Sequence, residues 1–219
     1  MPFLFLNMDA AAYHADLVSV SGQPTFSASA ARTLISESPW HAWRNHPRLG
    51  AKVYPITRTS SAEQAYGTLI HALVLGKGRE QLAPIDAKDY RTKAAQEAKK
   101  KAEEEGKTPI LLHEMAGAEV EALHIITAIE DAGYHIGPRT EQVCVWEEET
   151  AEGVVHCRGM LDSLDLDDTG AALILDLKTT RSAHPRSLSS AVFNYGYDIQ
   201  REAYVSAIEH IRPDLAGRV

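Results

Sequence analysis

The sequence predicts a mixed α/β (α+β) protein, with a central sheet flanked by helices. Three observations lead there. Apolar residues recur at helical spacing over 60–75 and again over 113–132. Three segments between 141 and 178 read as strands. Helical spacing then returns over 198–210. Helices, a run of strands and a closing helix make an α+β or α/β arrangement around one sheet.

The first 50 residues read as short helices and loops. Asp9 is placed to cap a helix through His14, and Ser27 or Ser29 to cap a second that carries Leu34 and Ile35. Pro39 stands at the first turn of a third, SPWHAWRNH, where its missing N–H costs no hydrogen bond. Trp40 and Trp43 share a face of that helix, which suits ring packing and leaves stacking on a base or ligand open. Over 60–75, Ser60 and Glu63 have capping-box spacing. Leu69, Ile70, Leu73 and Val74 supply the apolar face, and Gly76 ends the helix. His71 sits mid-helix, where position alone favours a packed or surface histidine over a ligand.

Residues 89–107 combine strong helix formers with charges of both signs, as a solvated helix does. Met115, Ala118, Ala122, Ile125, Ile126 and Ile129 mark the buried side of the helix over 113–132, and Gly133 closes it. In the strand region, 141–149 alternates with Val143 and Val145 on one face, 154–167 follows, and ALILDLK (172–178) is third. Asp167 to Gly170 is the turn between the last two, so the three form an antiparallel meander.

The chain has 219 residues, with Lys plus Arg at 22 and Asp plus Glu at 30, a net charge of −8. Hydrophobic residues make up 44% and charged residues 24%, which excludes a disordered, collagen-like or disulfide-stapled chain. The acidic balance argues against a nonspecific nucleic-acid coat protein, but not against an enzyme with a local basic path. No apolar run approaches the roughly 20 residues of a membrane span. The start, MPFLFLNMD, lacks a basic leader and a cleavage pattern, so a cytoplasmic protein is expected. Cys144 and Cys157 are too few for a four-thiolate site and read as small buried hydrophobes. Glu147, Glu148 and Glu149 read as a solvated strand end, and Asp165 to Gly170 lacks the ligand pattern of a calcium loop.

The chemistry concentrates in ALILDLK. On a strand, Asp176 and Lys178 share a face, opposite Leu173, Leu175 and Leu177, which are expected to be buried. Charges at the end of an apolar strand are costly to desolvate unless paired or bound to metal. A turn centred on Thr169 sets residue 162 opposite residue 176, so Asp162 and Asp176 stand side by side. Two like charges there call for a cation, and a hard divalent ion such as Mg²⁺ suits them. An ordinary surface Asp176–Lys178 ion pair with Asp162 nearby is the alternative that spacing leaves open.

Four motifs now stand in order. They are G-T-L-I-H (67–71), G-M-L-D (159–162), D-L-K-T-T (176–180) and Gln200-x-x-x-Tyr204. The set resembles the PD-(D/E)XK nuclease superfamily, its RecB-like branch, and within that the RecE-type phage exonuclease domain. Residues 27–43 and 195–200 also look like the RecE-type group, so the resemblance runs from about 27 to 210.

The resemblance implies a restriction-endonuclease-like core over 59–219 behind an N-terminal helical extension over 1–58. It implies His71, Asp162, Asp176 and the carbonyl of Leu177 as ligands of Mg²⁺ or Mn²⁺. Lys178 would contact the attacking water, and Gln200 and Tyr204, on one helix face, would lie near the scissile phosphate. Thr179, Thr180, Arg181, His184, Arg186 and Arg201 surround the motifs, either as DNA contacts or as ordinary surface groups. The implied activity is hydrolysis at double-stranded DNA ends, 5′→3′, in phage-type recombination. A RecT-like single-strand annealing protein and a ring-shaped homo-oligomer are the implied partners. A non-catalytic DNA-end-binding module on the same fold, or an endonuclease, is the competing expectation. Presence of all four of His71, Asp162, Asp176 and Lys178 favours catalysis, and the lack of a cysteine cluster argues against the iron–sulfur subgroup. The family core carries a further strand after the Q-x-x-x-Y helix. About nine residues follow that helix here, so the last core strand is expected to be missing or very short.

Overall fold

The computed structural model describes residues 4–6, 8–18, 22–54, 61–166, 170–180 and 182–219. The chain begins with β1 (Leu4–Leu6), α1 (Ala10–His14), β2 (Phe26–Ser27), α2 (Ala28–Ser36), α3 (Pro39–Asn45) and α4 (Gly50–Val53). It continues with α5 (Ala62–Leu75), β3 (Leu82–Ile85), α6 (Lys93–Glu104), β4 (Thr108–Leu111) and α7 (Leu112–Asp131). It closes with β5 (Arg139–Thr150), β6 (Gly153–Leu166), β7 (Ala172–Leu175), α8 (Pro185–Tyr195) and α9 (Tyr197–Ile211). Contacts divide it into two units. The first comprises residues 1–57, 137–176 and 180–219, and the second 58–136 and 177–179.

The first unit is built on a mixed sheet in the order β1, β5, β6, with β2 and β7 both on the far side of β6. The expected meander is present, since β5 pairs antiparallel with β6 and β6 with β7. Alternation assigns the two faces. Cys144, Trp146, Cys157 and Leu161 share one face and belong to one core with Tyr204, Ala207 and Ile208 of α9. Val143 and Val145 turn the other way and pack with Val18, Tyr13 and Met160. Gly159 lets the α9 ring lie against the sheet, because a Cβ there would fall 3.2 Å from Tyr204 Cε1.

The N-terminal segment departs from the reading of helices and loops, since it also contributes β1, antiparallel to β5, and β2, parallel to β6. Both are too short to show a period of two in the sequence. Its helices form as expected, with Asp9 Oδ1 accepting from Ala12 N (2.7 Å) and Ser27 capping α2. Trp40 and Trp43 are not a packed pair, being 56% and 40% exposed. Helix α8 was not foreseen, although Leu188, Ala191, Val192 and Tyr195 stand at i, i+3, i+4 and i+7; none of its residues is fully buried. After α9 the chain makes a 3₁₀ turn, Pro213–Leu215, and Arg218 O accepts from Ala172 N (3.0 Å). No strand is present among the described residues beyond α9.

In the second unit, α5 packs Leu69, Ile70, Leu73 and Val74 against Ile110, Ala118 and Ala122. Its capping box uses Ser61 and Gln64 rather than Ser60 and Glu63, and Ser60 lies outside the described residues. Helix α6 is the solvated helix expected, with Lys93–Glu97, Lys99–Glu103 and Lys100–Glu104 at i,i+4. It connects β3 to β4, which pair in parallel, a small sheet that was not foreseen. Leu177 packs onto this unit's core. Gly67 of α5 faces Thr179, whose Oγ1 would meet a Cβ there at 2.9 Å.

Candidate active site

The pairing of β6 with β7 sets the geometry. Ser163 pairs with Leu175, Leu164 with Ile174 and Asp165 with Leu173. This is the register of a turn centred on position 169, although residues 167–169 lie outside the described ones. Continued one step, this register would set residue 162 opposite residue 176, but the pairing stops at Ser163 and Leu175. The strand itself ends at Leu175, so the expected strand through Lys178 is corrected. Leu173 and Leu175 are half-buried rather than buried. Leu177 belongs instead to the core of the second unit. The D-x-K motif is thereby divided, with Asp176 in the first unit and Leu177, Lys178 and Thr179 in the second. His71, half-buried on α5, also belongs to the second.

Within the first unit, β6 has a partial edge. Strand β2 covers Cys157 and Arg158, and β7 covers residues from Ser163 onward, so 159–162 have no strand partner on that side. A side chain takes the strand's place, as Tyr204 OH donates to Met160 O (2.6 Å). Gln200 Nε2 donates to Tyr204 OH (2.6 Å) and to Asp176 Oδ1 (3.2 Å). Gln200 and Tyr204, one turn apart on α9, thus connect the sheet edge to the exposed Asp176. Burial holds the Tyr204 phenol well above the usual tyrosine range. The Gln200 amide opposes this, while the charges of Asp176 and Asp162 add to it. The phenol therefore stays protonated at neutral pH and serves as a donor, not a base.

A cavity of about 280 Å³ opens at this edge, lined by Asp162, Gln200, Tyr204, Arg158, Arg32 and Ser29, among others. The two arginines were absent from the sequence reading. Each has a buried Nε without a hydrogen-bond partner among the described residues. Arg158 is 5% exposed and is held by Asp16 Oδ1 (2.9 Å), Thr25 O (2.6 Å) and Thr25 Oγ1 (2.7 Å). An arginine in the middle of an apolar strand was the available signal, since a buried guanidinium requires a partner.

The candidate DNA contacts are scattered. Thr179 and Thr180 are exposed, and Thr180 Oγ1 donates to Ser182 O (3.4 Å). His184 caps α8 by accepting from Arg186 N (3.3 Å). Arg186 is exposed, and Arg201 is exposed and paired with its neighbour Glu202. Arg181 lies outside the described residues. Burial raises the thiols of Cys144 and Cys157 to about 12, consistent with inert core residues.

Asp162 and Asp176 supply hard oxygen donors, which suit a divalent cation better than a soft one. Among the described residues, no group of three or more His, Cys, Asp or Glu stands together in a metal-binding cluster. Two carboxylates are nonetheless a sufficient protein share for Mg²⁺, which keeps several waters and takes further oxygens from a phosphate substrate.

A family model described as the PD-(D/E)XK nuclease superfamily matches residues 25–218. The chain belongs to that superfamily. No curated protein and no solved structure matches it. As a PD-(D/E)XK protein, it has the central mixed sheet with flanking helices of the restriction-endonuclease-like fold. Superfamily membership points to a nuclease that uses a divalent ion such as Mg²⁺ or Mn²⁺ and acts on DNA. No helix among the described residues is long and apolar enough to cross a membrane.

Proposed function

We propose that this PD-(D/E)XK protein is a metal-dependent exodeoxyribonuclease of the RecB-like branch, RecE-type, acting on double-stranded DNA ends. The observation that supports the reading is the bonding of Asp176 to Gln200 and of Tyr204 to the β6 edge, beside a β6–β7 register whose continuation would bring Asp162 opposite Asp176. The two carboxylates would hold Mg²⁺ or Mn²⁺. By the family resemblance, His71 and the carbonyl of Leu177 complete the ligands. The ion would supply Lewis acidity toward the phosphoryl oxygens and a water of lowered pKa. Lys178 orients the attacking water and offsets developing negative charge. The Gln200 amide fixes the Asp176 carboxylate, and Tyr204 keeps the β6 edge from taking another strand. Arg32 and Arg158 bring positive charge to the cavity that Asp162 lines, which suits a backbone phosphate. Thr179, Thr180, Arg181, Arg186 and Arg201 are the further DNA contacts. The RecE-type resemblance supports 5′→3′ polarity, a role in phage-type recombination, a RecT-like annealing partner and a ring-shaped homo-oligomer.

Linear and covalently closed circular duplexes, each incubated with Mg²⁺ or with EDTA, provide the test. Digestion of linear DNA alone, and with metal alone, is expected. Cutting of closed circles makes the protein an endonuclease. Binding of ends without hydrolysis makes it a DNA-end-binding module. His71→Ala is expected to weaken Mg²⁺ binding in calorimetry, and unchanged binding removes His71 from the ligand set.

A further inference from the structure

The chain holds three tryptophans in two kinds of surroundings. Trp146 is 5% exposed in the sheet core, whereas Trp40 and Trp43 on α3 are 56% and 40% exposed. Tyr54, just past α4, is 51% exposed. Grouped aromatic rings left in water mark binding surfaces more than stability.

The local structure presents these rings firmly. Ser38 caps α3 by accepting from His41 N, and Pro39 pre-sets its first turn. Gly50 closes against the back of Trp43, where a Cβ would lie 2.8 Å from Trp43 Cε3. Tyr54 meets Trp43 edge-on, with centroids 6.4 Å apart, and the Arg44 guanidinium lies 6.0 Å from the Trp40 ring. Charge separates this segment from the rest of the chain. Residues 28–54 carry Arg32, Arg44, Arg48 and Lys52 against Glu37 alone, in a chain of net charge −8. Arg48 is engaged with Gly22 O, Gln23 O and Asp16, so Arg44 and Lys52 are the cations nearest the rings in sequence.

We propose that Trp40, Trp43 and Tyr54 form a stacking surface for unpaired nucleobases, with Arg44 and Lys52 meeting the phosphates, so that this face binds single-stranded DNA. The choice of DNA as the polymer rests on the nuclease reading above. Bases in a duplex have both faces covered by their neighbours, and an unpaired strand offers them to an indole. Rings interleaved with cations are the chemistry of sequence-tolerant single-strand binding.

The test is made in EDTA, so that hydrolysis plays no part. An unlabelled oligo(dT) is titrated while tryptophan emission is read, and a labelled oligo(dT) is followed by anisotropy. Quenching of the exposed indoles is expected, with affinity that falls as salt rises. Trp40→Ala and Trp43→Ala are each expected to weaken binding by about tenfold. Trp40→Phe and Trp43→Phe, which keep an aromatic face and guard against a misfolded alanine variant, retain most of the affinity. Equal binding by the Trp40→Ala/Trp43→Ala double variant overturns the proposal, as does an equal loss in the Phe and Ala variants. Protection of the indoles by self-association without DNA, seen in sedimentation, also overturns it. Cleavage of linear duplex with Mg²⁺ is measured on the same proteins. Failure of the nuclease reading shows as no cleavage with single-strand binding intact. Failure of the stacking surface shows as intact cleavage with oligo(dT) binding indifferent to Trp40 and Trp43.

Discussion

Asp16 and Asp176 belong to the same unit and stand in opposite surroundings. Asp16 is wholly buried. It accepts from Thr25 N (3.0 Å) and Thr25 Oγ1, pairs with Arg158 (2.9 Å), and has His46 Nε2 at 3.5 Å and Arg48 Nη1 at 3.8 Å. Asp176 is exposed just past the end of β7, with the Gln200 amide on its Oδ1. A carboxylate that holds a structure together is buried among its partners. A carboxylate that acts on something else keeps oxygens accessible to an incoming cation.

The contrast can be broken most forcefully at Asp16. Asp16→Ala leaves Arg158 buried with its ion-pair partner gone and is expected to cost about 3–5 kcal/mol in urea unfolding. A loss below about 0.5 kcal/mol, typical of a surface site, would mean that the network is not structural. Asp176→Asn should behave in the reverse way. Its stability in EDTA stays within about 0.5 kcal/mol of the parent, as for an exposed position. Its Mg²⁺-dependent cleavage falls by at least about a hundredfold, the order attached to a lost electrostatic contact in a transition state. Persistent cleavage by purified Asp176→Asn or Lys178→Ala would refute the residue assignment.

A smaller effect sharpens the boundary between the two kinds of residue. Tyr204→Phe leaves Met160 O without its donor and should cost about 1 kcal/mol. Because the phenol does not titrate near neutrality, the pH profile of cleavage in the remaining activity should keep its shape, and a new inflection would assign Tyr204 a proton-transfer role. The smallest effect is alkaline. Cys144 and Cys157 are raised from 9.0 to about 12, so the fold favours the neutral thiol. Their contribution to stability is complete below pH 9 and is lost as pH rises toward 12, because the unfolded chain ionises first. Native protein should resist alkylation at about pH 8, where a thiol of unshifted pKa reacts.

Much of the fold was readable because its elements are long and regularly patterned. Helices α5, α7 and α9 and strands β5 and β6 stand within two residues of their expected ends. The strands missed are too short to show a period: β1 and β2 are three and two residues long, and β3 and β4 are four each. Helix α8 was missed although Leu188, Ala191, Val192 and Tyr195 have helical spacing. At the candidate site, turn arithmetic matched the β6–β7 register as far as Ser163 and Leu175, one step short of Asp162 and Asp176. The place of Arg158 in the cavity was not legible, because it depends on Asp16 and Thr25, which lie more than 130 residues earlier.

Sequence alone determined the meander, its register and the ordered motifs that mark a PD-(D/E)XK chain. These rest on local periodicity and on the strict alternation of side chains in paired strands. Tertiary structure alone decided that β7 stops at Leu175, that Tyr204 occupies a gap in the β6 edge, and that Arg158 is anchored by Asp16. Each of these depends on which distant surface buries a side chain or completes a hydrogen bond, and that is settled only when the chain packs.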